Sequence, residues 1–150
     1  MRQIQRDIVG ALLISGDGQV LLGQNKPGGV YEGRWLVPGG GIHDGESKEQ
    51  AVIRELREEV GIDITKGHIE LLDFVQTGVT EKTLRDTGER VVVDMTFYNF
   101  KVTFDQPADD IRISLDDDLG EAEWFSPDKF TEMIFSPSVE MLLKHLGFIK

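Results

Sequence analysis

The chain contains no cysteine. Disulfides, thiolate zinc sites and cysteine nucleophiles are therefore excluded. No apolar run approaches the roughly 20 residues of a membrane span. The opening Met1-Arg2-Gln3-Ile4-Gln5-Arg6-Asp7 lacks the apolar stretch of a secretory signal, so the cytoplasm is the expected compartment. Positive charge is scarce: 16 Lys and Arg stand against 27 Asp and Glu, a formal net charge of −11. That balance argues against a nucleic-acid polymer or an anionic membrane surface as the main partner. It leaves room for a small phosphorylated substrate, because metal ions can neutralise both sides. Repeats, low-complexity runs and long linkers are lacking too. The 150 residues read as one domain, 1–150.

What is there suffices for a core, with 39% hydrophobic residues. Ile8 to Ser15 is apolar and β-prone, Gly16-Asp17-Gly18 signals a turn, and Gln19 to Gly23 is a second apolar run. The spacing predicts a hairpin. Lys26 to Gly33 is glycine-rich and reads as a loop, and Trp35 to Val37 as a short strand. Ile69 to Thr77 and Arg90 to Thr103 read as strands. Gly78 to Glu89 between them, polar and mixed in charge, reads as a long mobile connection. Asp105 to Asp118 reads as an acidic loop and Glu121 to Phe125 as a last short strand. Ser126-Pro127-Asp128-Lys129 opens a helix, and Ser138 to Leu146 continues or follows it. Strands mixed with two helices give an α/β class.

The most informative stretch runs from Gly40 to Ile62. Ser47 with Gln50 forms a capping-box pattern, so a helix should start near Lys48. Gly61 stands where a helix C-terminal glycine belongs. On that helix Glu55, Glu58 and Glu59 are three and four residues apart and share a face. Like charges so placed cost a few tenths of a kcal/mol per pair, roughly, unless a cation sits against them. An oxygen-only ligand set favours a hard cation: magnesium, manganese or calcium. Val52, Ile53, Leu56 and Val60 form a second, core-facing stripe. Pro38-Gly39-Gly40-Gly41 before the helix must be a loop whose glycines let backbone approach a ligand closely.

Gly40, five residues, Glu46, seven residues, then Arg54-Glu55-Leu56-Arg57-Glu58-Glu59-Val60-Gly61-Ile62 resembles the Nudix box with every defining position filled. A chance match of this length is on the order of one in ten million, which outweighs the reading as a plain Glu- and Arg-rich surface helix. Trp35 to Gly39 and Glu123-Trp124-Phe125 also look like the family. The resemblance implies the Nudix fold, a mixed β-sheet sandwiched between α-helices. It implies a metal-dependent pyrophosphohydrolase, using Mg2+ or Mn2+, that cleaves a phosphoanhydride in a nucleoside diphosphate linked to another moiety.

Glu58 and Glu59 are then the expected metal ligands. Glu55 is either a ligand or the group that orients and deprotonates water. Arg54 is expected to pair with a box carboxylate and hold its rotamer, and Glu46 to tie the loop to the helix. The resemblance implies that the Gly40 carbonyl completes the metal shell. A further acid is sought among Asp116, Asp117, Asp118, Glu121 and Glu123, with Glu121 favoured because it precedes a strand beside Gly120. Arg34, Lys82 and Arg85 are the candidate substrate-binding cations, with Arg90 flanking the same polar segment. Gly78 to Glu89 would close over substrate as a flap. Phe74, Phe97 and Tyr98 could stack on a base, but aromatics in strands are more often core. His43, His68 and His145 lack ligand spacing and are expected at the surface.

The competing reading is a non-catalytic Nudix-like sensor of a nucleotide or phosphosugar. The intact Glu55, Glu58 and Glu59 set favours catalysis. An isopentenyl diphosphate isomerase, which shares the fold, resembles chemistry that needs a cysteine. Downstream of the box, Gly78-Val79-Thr80 replaces the tyrosine typical of dinucleoside polyphosphate hydrolases. Thr77 has no neighbouring proline of the ADP-ribose type, and the upstream motif of coenzyme A hydrolases is missing. Nucleoside triphosphates or nucleotide sugars remain by elimination, and a homodimer stays open.

Overall fold

The computed structural model describes residues 1–28, 32–115 and 119–150. Among these residues six strands form one mixed sheet: β1 (Arg2–Ile14), β2 (Val20–Asn25), β3 (Gly39–Gly41), β4 (His68–Thr83), β5 (Arg90–Thr103) and β6 (Leu119–Phe125). The order is β4-β5-β1-β2-β6, with β3 paired to β1. β1 and β5 run parallel, and the other pairs antiparallel. Helix α1 (Lys48–Val60) covers one face and α2 (Pro137–His145) the other.

Strand alternation explains the two layers. Val9, Ala11 and Leu13 of β1 bury against Ala51, Val52, Leu56 and Val60 of α1. Leu12, Val20 and Leu22 point the other way, onto Val139, Leu142 and Leu143 of α2. Each fully buried Val or Leu contributes roughly 1.5–3 kcal/mol. Residues 9–13 are therefore covered on both faces and read as a continuous apolar run. Arg2–Asp7 is not, and is mostly exposed. Its backbone ladder with β5, from Arg2↔Val91 onward, keeps it in the sheet and lengthens β1 beyond the expected start at Ile8. The expected hairpin forms, with Ile14 opposite Val20.

Four expectations are corrected. Gly78–Thr83 is not a loop: it continues β4, paired with Arg90–Met95. A tight turn follows, closed by Leu84 N–H to the Glu89 carbonyl at 2.9 Å. Backbone pairing with a strong β5 overrides the polar composition of that stretch. Trp35 and Leu36 make isolated bridges to Phe135 and Gly23. The strand is Gly39–Gly41, in the stretch from Pro38 expected as a loop and paired instead with β1. Pro127–Glu132 is a 3-10 segment rather than the start of an α-helix.

Helix α1 has the expected ends. Ser47 and Gln50 form both capping-box bonds, and Gly61 closes the helix at φ 68°. A serine cap of this kind is worth about 1 kcal/mol. β3 is built from glycine because nothing larger fits: a Cβ on Gly39 would stand 2.1 Å from the Val9 carbonyl oxygen.

Candidate active site

Register places the site where β3 meets α1. Gly40 lies opposite Val9, and Gly41 opposite Ile8. A Cβ on Gly40 would fall 2.5 Å from the Glu55 carboxyl carbon, so this glycine opens the space that Glu55 fills. The Glu55 side chain is 13% exposed, whereas Glu58 is 57% exposed. Glu59 is half-buried.

Arg54 organises the cluster. Its Nε donates to Glu46 Oε2 at 2.7 Å and its Nη2 to Glu46 Oε1 at 2.9 Å. This is a two-pronged pair of the strong, charge-assisted kind. Nη2 also donates to the Gly41 carbonyl at 2.9 Å. Nη1 donates to Glu55 Oε1 at 2.8 Å and to Glu58 Oε2 at 3.3 Å. The expected pairing of Arg54 with one box carboxylate is thus a pairing with three. Glu46 also accepts the His43 N–H at 2.8 Å, tying the loop to the helix as anticipated. The Arg54 fork first, and the His43 N–H second, pull the Glu46 carboxyl from 4.5 down to about 2. Reciprocally, Arg54 is held above its ordinary value, chiefly by Glu46.

The donor set is all oxygen, backed by a glycine whose Cβ would fill the space, and it fits a hard divalent cation. Among the described residues no three His, Cys, Asp or Glu side chains already converge in metal-holding geometry. Glu55 and Glu58 are instead turned to the Arg54 guanidinium.

A cavity of about 900 Å³ opens on the other face. Ile8, Val37, Met95, Phe97 and Met141 supply apolar walls, and Phe74 and Tyr98 also line it. A chain of amides crosses it. Asn99, only 5% exposed, donates to Gln76 Oε1 at 3.0 Å and to the Phe74 carbonyl at 3.0 Å. Gln76 donates to the Ser138 carbonyl at 2.9 Å, at the start of α2. Volume and lining suit a small, partly polar ring system.

The structure separates the remaining candidates. Ala122 and Trp124 pack in the cluster under α1. Glu121 and Glu123 alternate with them, so the pleat points both to the face away from the helix carboxylates. Asp116, Asp117 and Asp118 lie outside the described residues. Arg34 is exposed just before Trp35. Lys82 pairs with Val91, itself level with Arg2. Six residues of strand separate Arg2 from Ile8, about 20 Å from the box at 3.3 Å per residue. Lys82 therefore stands at the outer rim of the cavity, two residues past the lining Thr80. Arg85 lies in the turn beyond it. The three histidines are exposed, and His145 stacks on Phe74 at 4.3 Å.

Two residues escaped the sequence reading. Asn99 carried a usable signal, an amide inside an apolar strand. Arg6 carried none. It lies in the exposed half of β1, yet a Cβ on Gly41 would stand 2.6 Å from its Nη2.

A match to the NUDIX domain spans residues 4–144. The chain belongs to the NUDIX family. It is a Nudix hydrolase, and the box at Gly40 to Ile62 is the part that positions its carboxylates. The chain is 32% identical over 129 residues to the nucleoside triphosphatase NudI of Salmonella arizonae, covering 84% of this chain and 85% of that one. It is 38% identical over 79 residues to the RNA pyrophosphohydrolase of Wolbachia sp. subsp. Brugia malayi, covering 53% and 47%. Among solved structures, the E. coli dihydroneopterin triphosphate pyrophosphohydrolase matches with a TM-score of 0.70 at 17% identity, covering 95% and 96%. That likeness shows the Nudix fold, a mixed sheet between helices. Among the described residues no helix is long and apolar enough to cross a membrane.

Proposed function

We propose that this Nudix hydrolase is a metal-dependent pyrophosphohydrolase of nucleoside triphosphates. The observation that carries the reading is the Glu55–Arg54–Glu58 cluster set against Gly40. The likeness to a nucleoside triphosphatase over most of both chains supports the substrate class. The cavity offers a base the Phe97 ring and the amides of Gln76 and Asn99.

Glu55, Glu58 and Glu59 would hold a divalent cation, with the Gly40 carbonyl beside them. When bound, such an ion supplies charge neutralisation and Lewis acidity. Glu55 is the best-placed group to orient a water and take its proton, because Arg54 and Gly40 fix its carboxyl. In-line attack on a phosphoanhydride requires little covalent chemistry from protein side chains, so positioning and charge dominate. Arg54 supplies the positioning by locking Glu46, Glu55 and Glu58 to one guanidinium.

The test is release of phosphate or pyrophosphate from nucleoside triphosphates, nucleotide sugars and dinucleotides. Hydrolysis should stop with chelator and return with Mg2+ or Mn2+. Glu58→Gln and Glu59→Gln should each lose at least about a hundredfold in turnover. Both variants should stay folded without metal, since Glu58 is 57% exposed and its 3.3 Å pairing with Arg54 is of the weak surface kind. Full turnover in a metal-free preparation would overturn the mechanism.

A further inference from the structure

We propose that Arg6 binds the phosphate chain of the substrate at the box loop, on the cavity side of β3. Owing to the pleat, successive glycines of β3 face opposite ways. Gly40 faces Glu55, and Gly41 faces Arg6. The Arg6 guanidinium fills the space a side chain at position 41 would occupy, with Nη2 2.6 Å from the ideal Cβ. β3 thus carries no side chain of its own at that point, and a cation from β1 stands in.

Position on the strand ties Arg6 to the cavity. Ile8 and Met95 line it. Arg6 is two residues from Ile8 on the same face of β1, and it pairs in register with Met95. Among the described residues β3 pairs only with β1. A polyphosphate running from a base in the cavity to the carboxylates would pass β3, where the Arg6 guanidinium stands against Gly41.

Charge pairing singles this arginine out. Arg2, four residues earlier on the same face, is neutralised by Glu89 at 2.9 Å. Acids of the box and of β1 have other partners: Glu46, Glu55 and Glu58 pair with Arg54, and Asp7 accepts from the Gln5 amide at 3.1 Å. Among the described residues no carboxylate pairs with Arg6. In a chain of net charge −11, that leaves an exposed five-donor fork beside a carboxylate cluster. Its geometry matches phosphate oxygens.

The inference rests on the pyrophosphohydrolase reading only for which phosphate compound is turned over. Two measurements keep the two apart. In calorimetry with inorganic tripolyphosphate and Mg2+, Arg6→Ala should bind at least about tenfold more weakly than wild type, while Arg2→Ala binds equally well. In kinetics with a nucleoside triphosphate, Arg6→Ala should raise KM by about tenfold and leave kcat within about threefold. Arg6→Lys should recover part of the loss, since a point charge replaces a fork. Equal tripolyphosphate affinity in wild type and Arg6→Ala, or no binding by wild type, would overturn the Arg6 site. Arg6-dependent tripolyphosphate binding without turnover of any nucleotide would support the site and overturn the hydrolytic reading instead.

Discussion

One guanidinium, Arg54, sets the state of three carboxylates. Its pairing with Glu46 has a pH signature with a definite sign. The Glu46 carboxyl lies at about 2 in the folded chain, below its ordinary 4.5. A group depressed on folding stabilises the native state above its unfolded pKa and loses that contribution as pH falls through the folded one. Wild type should therefore lose stability between about pH 4.5 and pH 2 in part through Glu46. Glu46→Gln should be less stable at pH 7, and its gap to wild type should narrow steadily across that window. Urea unfolding midpoints at half-unit pH steps would measure it. A gap independent of pH would mean that Arg54 holds the amide as well as the carboxylate.

At the scale of elements, a three-residue strand of glycine joins the sheet edge-on to β1 and stands against the Glu55 side chain of α1. Gly40→Ala places a methyl against the Glu55 carboxylate, a contact of 2.5 Å that has to relax. Glu55 is held by Arg54, so the relaxation should displace the cluster. Turnover should drop about a hundredfold, the usual consequence of a misplacement near 1 Å, with the fold retained by circular dichroism. Gly78→Ala is the contrast. Its nearest neighbour would be Phe97 at 3.6 Å, ordinary contact, so the cluster stays in place. Because Gly78 lines the cavity, any change should appear in KM and not in kcat. The sequence made α1 legible to the residue because Ser47, Gln50 and Gly61 are local devices. It did not disclose the second half of β4, since Gly78–Thr83 is held by pairing with β5 and not by its own composition. Arg54 was legible as a positioning residue, but its grip on Gly41 and Glu46 depends on how the loop returns. Arg6 was illegible for the same reason: a partner across a strand leaves no pattern along the chain.

For the whole molecule, a net charge of −11 would face the proposed polyanionic substrate. Repulsion reaches about 30 Å at 10 mM salt and only about 8 Å at 150 mM. With Mg2+ held constant, kcat/KM for a triphosphate should therefore rise over that range, read from initial rates. A fall would mean that local cations outweigh the overall charge. The architecture has one more consequence, in time instead of space. Arg2 pairs with Val91 and Ile14 with Thr103, so β1 finds its parallel neighbour only after residue 103 has been synthesised. At roughly 5–20 residues per second, the wait after β1 emerges lasts several seconds. During it, the apolar stretch from Ile8 to Ile14 lacks the strand that will lie along it. Native pairing so distant along the chain also slows spontaneous folding toward milliseconds or longer. The sheet's central strand is made first and completed late, and a nascent chain has to be kept from aggregating through that interval.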